Sequence, residues 1–441
     1  MAWCDKNRHF IPLIVIACLF AITLAGVGEV YADDPHFPDS DRMSLAEQEE
    51  YVLADKANLV TETFRVPKGL KKRVSFWFKI YSQYSIEHTV IHDTENPWII
   101  YDVVSGDEIR KSGVRGGAVR RMQTAIASQK RAEYRAILLK LAKNPPYGEL
   151  GGRERRIYHL FDDLEGNRAN NFKRAAYRIR LQLGQQDSLI HALRKSGGYW
   201  KSMEEVLVEE NVPTELLTIS LLESSFVVEA RSQVGAAGVW QFMRRTGNHF
   251  LSYVRSDIDE RYDPLKASRA AAKLFKQNLK ILKSWPLAIN AYNTGPAPLI
   301  NAKKKLGTDD ISTIIKQYRA RGWGFASRNY YSMFVAAAHV TRYYKFLLGD
   351  IKRDPPLKHD DEIDIKYPMR AFFVIDLCKV TKEELQKYNP DLRHKALNSY
   401  TYLPDNYRLK LPVGHRKYLE EFHREVGEVN AQLDKWGVPR D

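Results

Sequence analysis

Apolar residues recur at helical spacing along most of this chain, and the places where the pattern fails mark its subdivisions. Residues 33 to 75 are acidic at first and then basic at Lys68-Gly69-Leu70-Lys71-Lys72-Arg73, with no sustained period, and read as a leader arm. From Val74 to Val104 the chain is β-branched and aromatic, as in Val74-Ser75-Phe76-Trp77-Phe78 and Trp98-Ile99-Ile100-Tyr101. Breaks at Asn96-Pro97 and Ser105-Gly106-Asp107 predict a short helix or strand followed by a hairpin. Between Gly117 and Leu193 the period becomes helical. Ile126, Tyr134, Ile137, Leu138 and Leu141 share one face before Asn144-Pro145-Pro146, and a second long basic helix is predicted over roughly Arg168 to Leu183. No chemistry is evident in these helices.

Gly197-Gly198 marks a boundary, after which residues 200 to 346 read as helix after helix joined by Gly-containing turns. Composition shifts again at Arg353-Asp354-Pro355-Pro356. A small module runs to Pro412, and a last amphipathic helix extends from about His415 to Trp436. The fold class expected is mainly α. At 441 residues the chain is long enough for two or three domains.

The first 32 residues differ from everything that follows. Lys6 and Arg8 precede an apolar run from Phe10 to Val27, and Val30-Tyr31-Ala32 offers the small residues a signal peptidase needs. The expectation is a signal peptide and an exported, envelope-located protein, with a retained N-terminal segment as a membrane tether the alternative. Val15-Ile16-Ala17-Cys18 also fits a lipobox, although lipidation there would leave Leu19 to Leu24 in the mature chain. Removing the segment takes Cys4 and Cys18 with it and leaves Cys378, so no internal disulfide is expected. With 68 Lys and Arg against 54 Asp and Glu, the net charge is +14, which suits binding to a polyanionic wall. No aromatic-basic recognition motif suggests nucleic acid as a partner.

One carboxyl stands out. Pro213 opens a helix on which Leu216, Ile219 and Glu223 share a face, so Glu223 projects with the apolar stripe near a helix end at Ser224-Ser225-Phe226. Burial and the C-terminal end of a helix both disfavour a carboxylate, and an acid that holds its proton near neutral pH can protonate a glycosidic oxygen. Asp257, Asp259, Glu260 and Asp263 could supply a second carboxylate. Asp263-Pro264 reads instead as a helix cap and the others as a solvated loop. His249 and His339 lack a second ligand at helical spacing, so no metal site and no cofactor are expected.

Glu223 has company downstream. Gly235-Ala236-Ala237-Gly238-Val239-Trp240-Gln241-Phe242-Met243 permits a tight turn, and a following helix is expected to carry Gln241 beside aromatic surface. Ala291-Tyr292-Asn293-Thr294-Gly295-Pro296 ends a helix with Tyr292 and Asn293 in its last turn, and Arg328-Asn329-Tyr330 opens another. The order of these four motifs resembles the soluble lytic transglycosylase and goose-type lysozyme superfamily, and Trp240-Gln241-Phe242-Met243 draws the likeness toward the membrane-bound lytic murein transglycosylase D type. The resemblance covers about residues 197 to 346.

That resemblance implies a lysozyme-like catalytic domain acting on peptidoglycan glycan strands. Glu223 would be acid and then base, and Ser224 a partner near it. Gln241 and Asn293 would bind sugar, Met243 and Tyr292 would line the cleft, and Tyr330 would contact the carboxyl group or the substrate. With a single carboxyl, the acetamido group of the substrate supports the developing charge and a 1,6-anhydro sugar results. Relatives often carry an acidic residue four positions before the motif tyrosine, where this chain has Ala326. The module from Ile363 to Pro412, with Leu385-Gln386-Lys387-Tyr388-Asn389-Pro390 and Leu409-Lys410-Leu411-Pro412, is similar to a degenerate LysM unit. The divisions expected are thus a signal peptide over 1–32, an α-rich accessory region over 33–196, the catalytic domain over 197–350, a small α+β LysM-like module over 351–414 and a C-terminal helix over 415–441. A catalytically silent wall-binding protein and a hydrolytic lysozyme are the rival readings.

Overall fold

A computed structural model describes residues 37–359 and 362–436. The expected signal peptide, with Cys4 and Cys18, lies outside the described residues. The chain is mainly helical, as its periodicity predicts.

Helix α1 (Leu45–Leu53) starts at Ser44, whose hydroxyl and the Glu47 carboxylate satisfy each other's backbone N–H groups. Two short 3-10 turns lead to α2 (Lys71–Ser82). The expected leader arm is therefore a folded part of the body. Val52, Val60, Phe64 and Leu70 are buried, and the Thr61 N–H donates to Glu215 Oε1 at 2.9 Å. Its apolar residues show no single period because the segment wraps over a helix in several short pieces.

The predicted hairpin is β1 (His88–Asp93) and β2 (Ile100–Ser105). After α3 (Gly106–Lys111), α4 (Gly117–Leu141) and α5 (Gly152–His159), α6 (Arg168–Ala175) stops short. The long basic helix expected to reach Leu183 gives way to β3 (Ile179–Leu183), which pairs antiparallel with the free side of β1. Ile179-Arg180-Leu181-Gln182-Leu183 alternates apolar and polar, the period of a strand, and it satisfies β1 backbone groups that a helix would leave unpaired. Tyr134, Leu138 and Leu141 of α4 share a core with Ile91, Ile99 and Tyr101 of the sheet.

Helices α7 (Gln186–Ser196) and α8 (Trp200–Glu209) flank the boundary at Gly197, where a Cβ would lie 2.2 Å from the Asp354 carbonyl oxygen. Next come α9 (Thr218–Ser224), α10 (Arg244–Phe250), α11 (Pro264–Leu282), α12 (Trp285–Thr294), α13 (Ala297–Leu306) and α14 (Ile311–Gln317). Helix α15 (Phe325–Arg342), buried through Tyr331, Phe334, Val335 and Val340, packs against α9 and α12, and α16 (Tyr344–Leu348) follows it. Helix α2 packs along α15: Asn329 Oδ1 accepts from Trp77 Nε1 at 3.0 Å and from Arg73 Nη1 at 2.9 Å.

In the last module β4 (Ile363–Asp364) and β5 (Met369–Arg370) precede α17 (Ala371–Cys378), α18 (Lys382–Tyr388) and α19 (His394–Leu397). Strand β6 (Tyr402–Leu403) then pairs with β5, and β7 (Arg408–Leu409) with β4. The Thr381 to Glu384 capping box forms as predicted, and α20 (Arg416–Lys435) is the expected C-terminal helix. The module seats on residues 257–266. Ile258 joins its core, the Arg393 N–H donates to the Asp257 carbonyl at 2.8 Å, and Lys410 Nζ meets Asp263 Oδ2 at 2.6 Å.

This seating overturns the solvated-loop expectation for Asp257, Asp259 and Glu260, which are buried together with Asp263. Their charges are answered locally. Asp257 pairs with Arg255, Asp259 with Arg261, and Glu260 accepts from the Ser252 and Tyr253 N–H groups. Asp263 caps α11 as predicted, accepting from the Leu265 and Lys266 N–H groups. Local sequence displays the charges but not the distant module that covers them.

Candidate active site

The segment before Glu223 enters as a 3-10 turn, Thr214–Leu217, led by Pro213, and continues as α9. Leu216 and Ile219 are fully buried, and Glu223, on the same face, is partly buried as the helical spacing predicts. Helix α9 ends one residue later. Ser225 at φ 50° and Phe226 at φ 57° both adopt the left-handed region, an unfavourable pair for residues with a Cβ. Such strain persists only where packing over-determines it, and Phe226 is buried. The turn thus holds Glu223 at an abrupt helix end.

Burial pushes the Glu223 carboxyl above the ordinary range, and a hydrogen bond from Tyr330 pulls it part of the way back. That bond runs from the Tyr330 hydroxyl to Glu223 Oε1 at 2.6 Å. Among the described residues Oε2 has no hydrogen-bond partner, and it is not sealed from solvent. A proton on Oε2 is therefore free to be donated, while Oε1 is held in place. Burial raises the Tyr330 phenol well above its usual value, so it stays a neutral donor.

The other motifs build the walls. Ser224 Oγ lies 3.0 Å from the Ser220 carbonyl and 3.1 Å from that of Val239, tying the end of α9 to the glycine-bearing loop. It is a structural tie between these segments, with no hydrogen bond to Glu223. At Gly238, φ is +75° and a Cβ would sit 1.7 Å from the Arg261 carbonyl oxygen, so only glycine fits. Tyr292 stacks on Phe275 with centroids 5.0 Å apart and donates to the Trp240 carbonyl at 2.6 Å. Its phenol is also electrostatically coupled to Glu223.

Gln241 departs from its expected setting. The helix begins at Arg244, and Gln241 occupies the preceding turn at φ 49°, its amide donating to the Gly238 carbonyl at 2.9 Å. The loop needs three more residues before it can start a helix because the left-handed turn reverses it first. Met243 and Asn293 are exposed, and neither makes a hydrogen bond to Glu223. The Arg328-Asn329-Tyr330 motif lies in the first turns of α15, which opens at Phe325. Glu223, Ser224, Tyr292 and Tyr330 thus come together, while Gln241 is tied back to its own loop and Met243 and Asn293 are exposed.

His339 is buried with Nδ1 2.8 Å from the Val335 carbonyl, a structural setting, and His249 is exposed. A cavity of about 680 Å³ opens elsewhere, between Trp98, Arg174 and Arg319. Its carboxylates are engaged: Glu95 with Arg178 and Arg319, Asp163 with Lys72, Glu165 with Lys316, and Asp310 as the cap of α14.

Two residues at the site escaped the sequence reading. Tyr81 of α2 is buried, and burial first and the Glu223 charge second push its phenol above its usual value, although it belongs to the region read as accessory. Asn329 anchors α2 to α15 through Trp77 and Arg73. The motif containing Asn329 was visible, but nothing in the local pattern pairs it with residues some 250 positions upstream.

Comparison with known proteins agrees with this geometry. Over 214 residues the chain is 24% identical to membrane-bound lytic murein transglycosylase D of Escherichia coli strain K12, covering 46% of this chain and 44% of that protein. The same values hold for the protein of that name from Escherichia coli O6:H1 strain CFT073. The chain thus spans less than half the length of these curated relatives. Residues 203–315 match the family model described as Transglycosylase SLT domain, a stretch that includes Glu223 and Tyr292 and ends before Tyr330. The helical body that holds Glu223 is thus similar, over residues 203–315, to the transglycosylase SLT domain.

Proposed function

We propose that this protein is a peptidoglycan lytic transglycosylase, cleaving the β-1,4 bond between N-acetylmuramic acid and N-acetylglucosamine with formation of 1,6-anhydro-N-acetylmuramic acid. The observation that carries the reading is the Glu223 carboxyl, which burial pushes toward its protonated form and which is hydrogen-bonded through Oε1 to Tyr330 and open at Oε2. Glu223 gives its proton to the glycosidic oxygen as the bond to C1 breaks. The substrate's acetamido group supports the positive charge at C1, and Glu223 then takes the proton of the C6 hydroxyl as that oxygen bonds to C1. Water takes no part in the products.

The lysozyme alternative needs a second carboxylate to activate water or form a covalent intermediate. Asp257, Asp259, Glu260 and Asp263 are buried and held by Arg255, Arg261, Lys266 and Lys410, which argues against any of them serving. Gln241, Met243 and Asn293 border the cleft as sugar contacts in this reading. The C-terminal module is LysM-like, with glycan binding and a purely structural role as its two readings, and the protein acts in the cell envelope, reached by the N-terminal segment. Among the described residues no helix is long and apolar enough to cross a membrane.

Digestion of purified peptidoglycan with the protein and with Glu223→Gln tests the proposal. Anhydro-muropeptides from the wild type alone are expected. Reducing ends would make the protein a lysozyme, and the absence of products from either would make it a silent binder.

A further inference from the structure

The cavity of about 680 Å³ is not lined by Glu223, and its wall carries four arginines: Arg73, Arg174 and Arg178 from the N-terminal region and Arg319 from the turn after α14. Asp93 and Glu95 answer two of them. Arg178 bonds both carboxylates, with Nε 3.1 Å from Asp93 Oδ2, and Arg319 Nη2 reaches Glu95 Oε1 at 2.7 Å. Arg73 and Arg174 are left over. Arg73 is 5% exposed, yet its guanidinium donates to neutral oxygens, Asn329 Oδ1 at 2.9 Å and the Glu95 carbonyl at 2.6 Å. Those bonds use two of its five donors, and among the described residues it has no carboxylate partner. A buried charge without a counter-ion is unfavourable. Arg174 is exposed, and its side chain makes no ion pair or hydrogen bond among the described residues. The wall is also preformed. Asp93 Oδ1 accepts from the Glu95 and Asn96 N–H groups at 2.8 and 2.7 Å, which fixes the loop leading to Trp98, and the Arg73 guanidinium lies 5.5 Å from the Trp98 ring centroid.

We infer that this cavity is a binding site for a short peptide bearing carboxylates and an amine, the chemistry of a cell-wall peptide stem, with Arg73 and Arg174 taking a carboxylate and Trp98 supplying an apolar face. Guanidinium groups match carboxylates in geometry as well as charge. The volume is that of a site for a small organic ligand, far more than an inorganic ion fills. The rim selects further. Asp163 and Glu165, with side chains 77% and 85% exposed, are each paired with one exposed lysine. Such surface pairs contribute little, so either carboxylate can exchange its lysine for a ligand amine, while both repel a polyphosphate. The Asn96 side-chain amide lines the cavity with no hydrogen bond among the described residues and can pair with a peptide group. Asn329, the acceptor for Arg73, precedes Tyr330 in α15, so consecutive residues of one helix join the cavity to Glu223. Arg73, Trp98, Arg174, Arg178 and Arg319 all lie outside the residues matched by the family model.

That the peptide is a wall stem rests on the proposed activity; that a carboxylate-bearing peptide binds here does not, and the test separates them. Calorimetry titrates the full chain with a synthetic stem tetrapeptide bearing free carboxylates and an amine, with the same peptide amidated at its carboxylates, and with inorganic phosphate. The free acid is expected to bind, and the amidated peptide about tenfold more weakly or worse, as loss of a charge-assisted hydrogen bond requires. Arg174 is exposed and unpaired, so Arg174→Gln leaves the fold intact. It is expected to weaken binding of the free acid about fivefold or more. Arg131→Gln, which removes an exposed arginine of α4 that does not line the cavity, is expected to bind as the wild type does. Equal affinity for acid and amide, equal losses in the two variants, tighter binding of phosphate than of peptide, or no peptide binding overturns the inference. Peptide binding without release of muropeptides from peptidoglycan would leave the site standing and overturn the proposed activity, and anhydro-muropeptides without peptide binding would do the reverse.

Discussion

Tyr330 and Glu223 lie 107 positions apart in the chain and 2.6 Å apart in space, with the phenol donating to Oε1. The bond fixes the carboxyl orientation while leaving Oε2 for the substrate, and it favours the ionised form that burial opposes. Two effects follow from deleting it. A hydrogen bond to a charged group contributes about 1.5–3 kcal/mol, so Tyr330→Phe should lower kcat roughly 10- to 100-fold. Without the donor the Glu223 pKa rises further, so the surviving activity persists to higher pH. Steady-state pH profiles on peptidoglycan read both. A slower enzyme with an unmoved alkaline limb would show that Tyr330 places substrate instead.

The same carboxyl is a liability for folding. Its folded pKa lies above the unfolded value near 4.5, so the fold loses stability as pH rises through the folded value and keeps it below about 4.5. Glu223→Gln removes the ionisation. The variant should melt at or above the wild-type temperature at pH 8, with the margin vanishing near pH 4. Calorimetry at the two pH values tests this, and a variant less stable at pH 8 would indicate that the carboxylate makes structural bonds.

Asn329 holds two elements together with one oxygen, accepting from the buried Arg73 guanidinium and the Trp77 indole. Leaving a buried donor unpaired costs about 1–3 kcal/mol, more for a charged one. Asn329→Leu should therefore destabilise by at least about 2 kcal/mol in urea unfolding. Asn329→Asp, which keeps the acceptor and adds a charge facing Arg73, should retain most of the stability. Equal losses in both would mean that shape, not the acceptor, matters.

What could be read from the sequence depended on whether the determinants were local. The Glu223 helix, the Asp263 cap, the Thr381 capping box and the hairpin each rest on residues within a few positions of one another, and all formed. Strand β3 was hidden because the basic residues from Arg168 onward suit a helix until Ala175, and its alternation becomes decisive only beside β1. Asp257, Asp259 and Glu260 looked solvated because Asp391 and Arg393 of the module seated on them arrive more than a hundred residues later.

Lys410 and Asp263 provide the sharpest test of how the C-terminal module is joined to the catalytic body. They meet at 2.6 Å with side chains 4% and 1% exposed, while Asp263 also caps α11. Burial pushes the Asp263 carboxyl up, but Lys410 and Lys266 outweigh it and hold the carboxyl below its usual value. The pair's stabilisation is therefore complete above the unfolded value near 3.8 and is lost as pH falls through the lower folded one. In Lys410→Met, Asp263 loses a buried partner, at a cost of about 3–5 kcal/mol, and burial then favours its protonated form. The sign of the pH dependence weakens or reverses, so the gap between variant and wild type should narrow from pH 7 to pH 3. Adding Asp263→Asn should recover part of the loss at pH 7, since an amide keeps the cap without the stranded charge. Urea midpoints for the three proteins at both pH values would decide it, and a gap independent of pH would show that Lys410 contributes through its methylene packing alone.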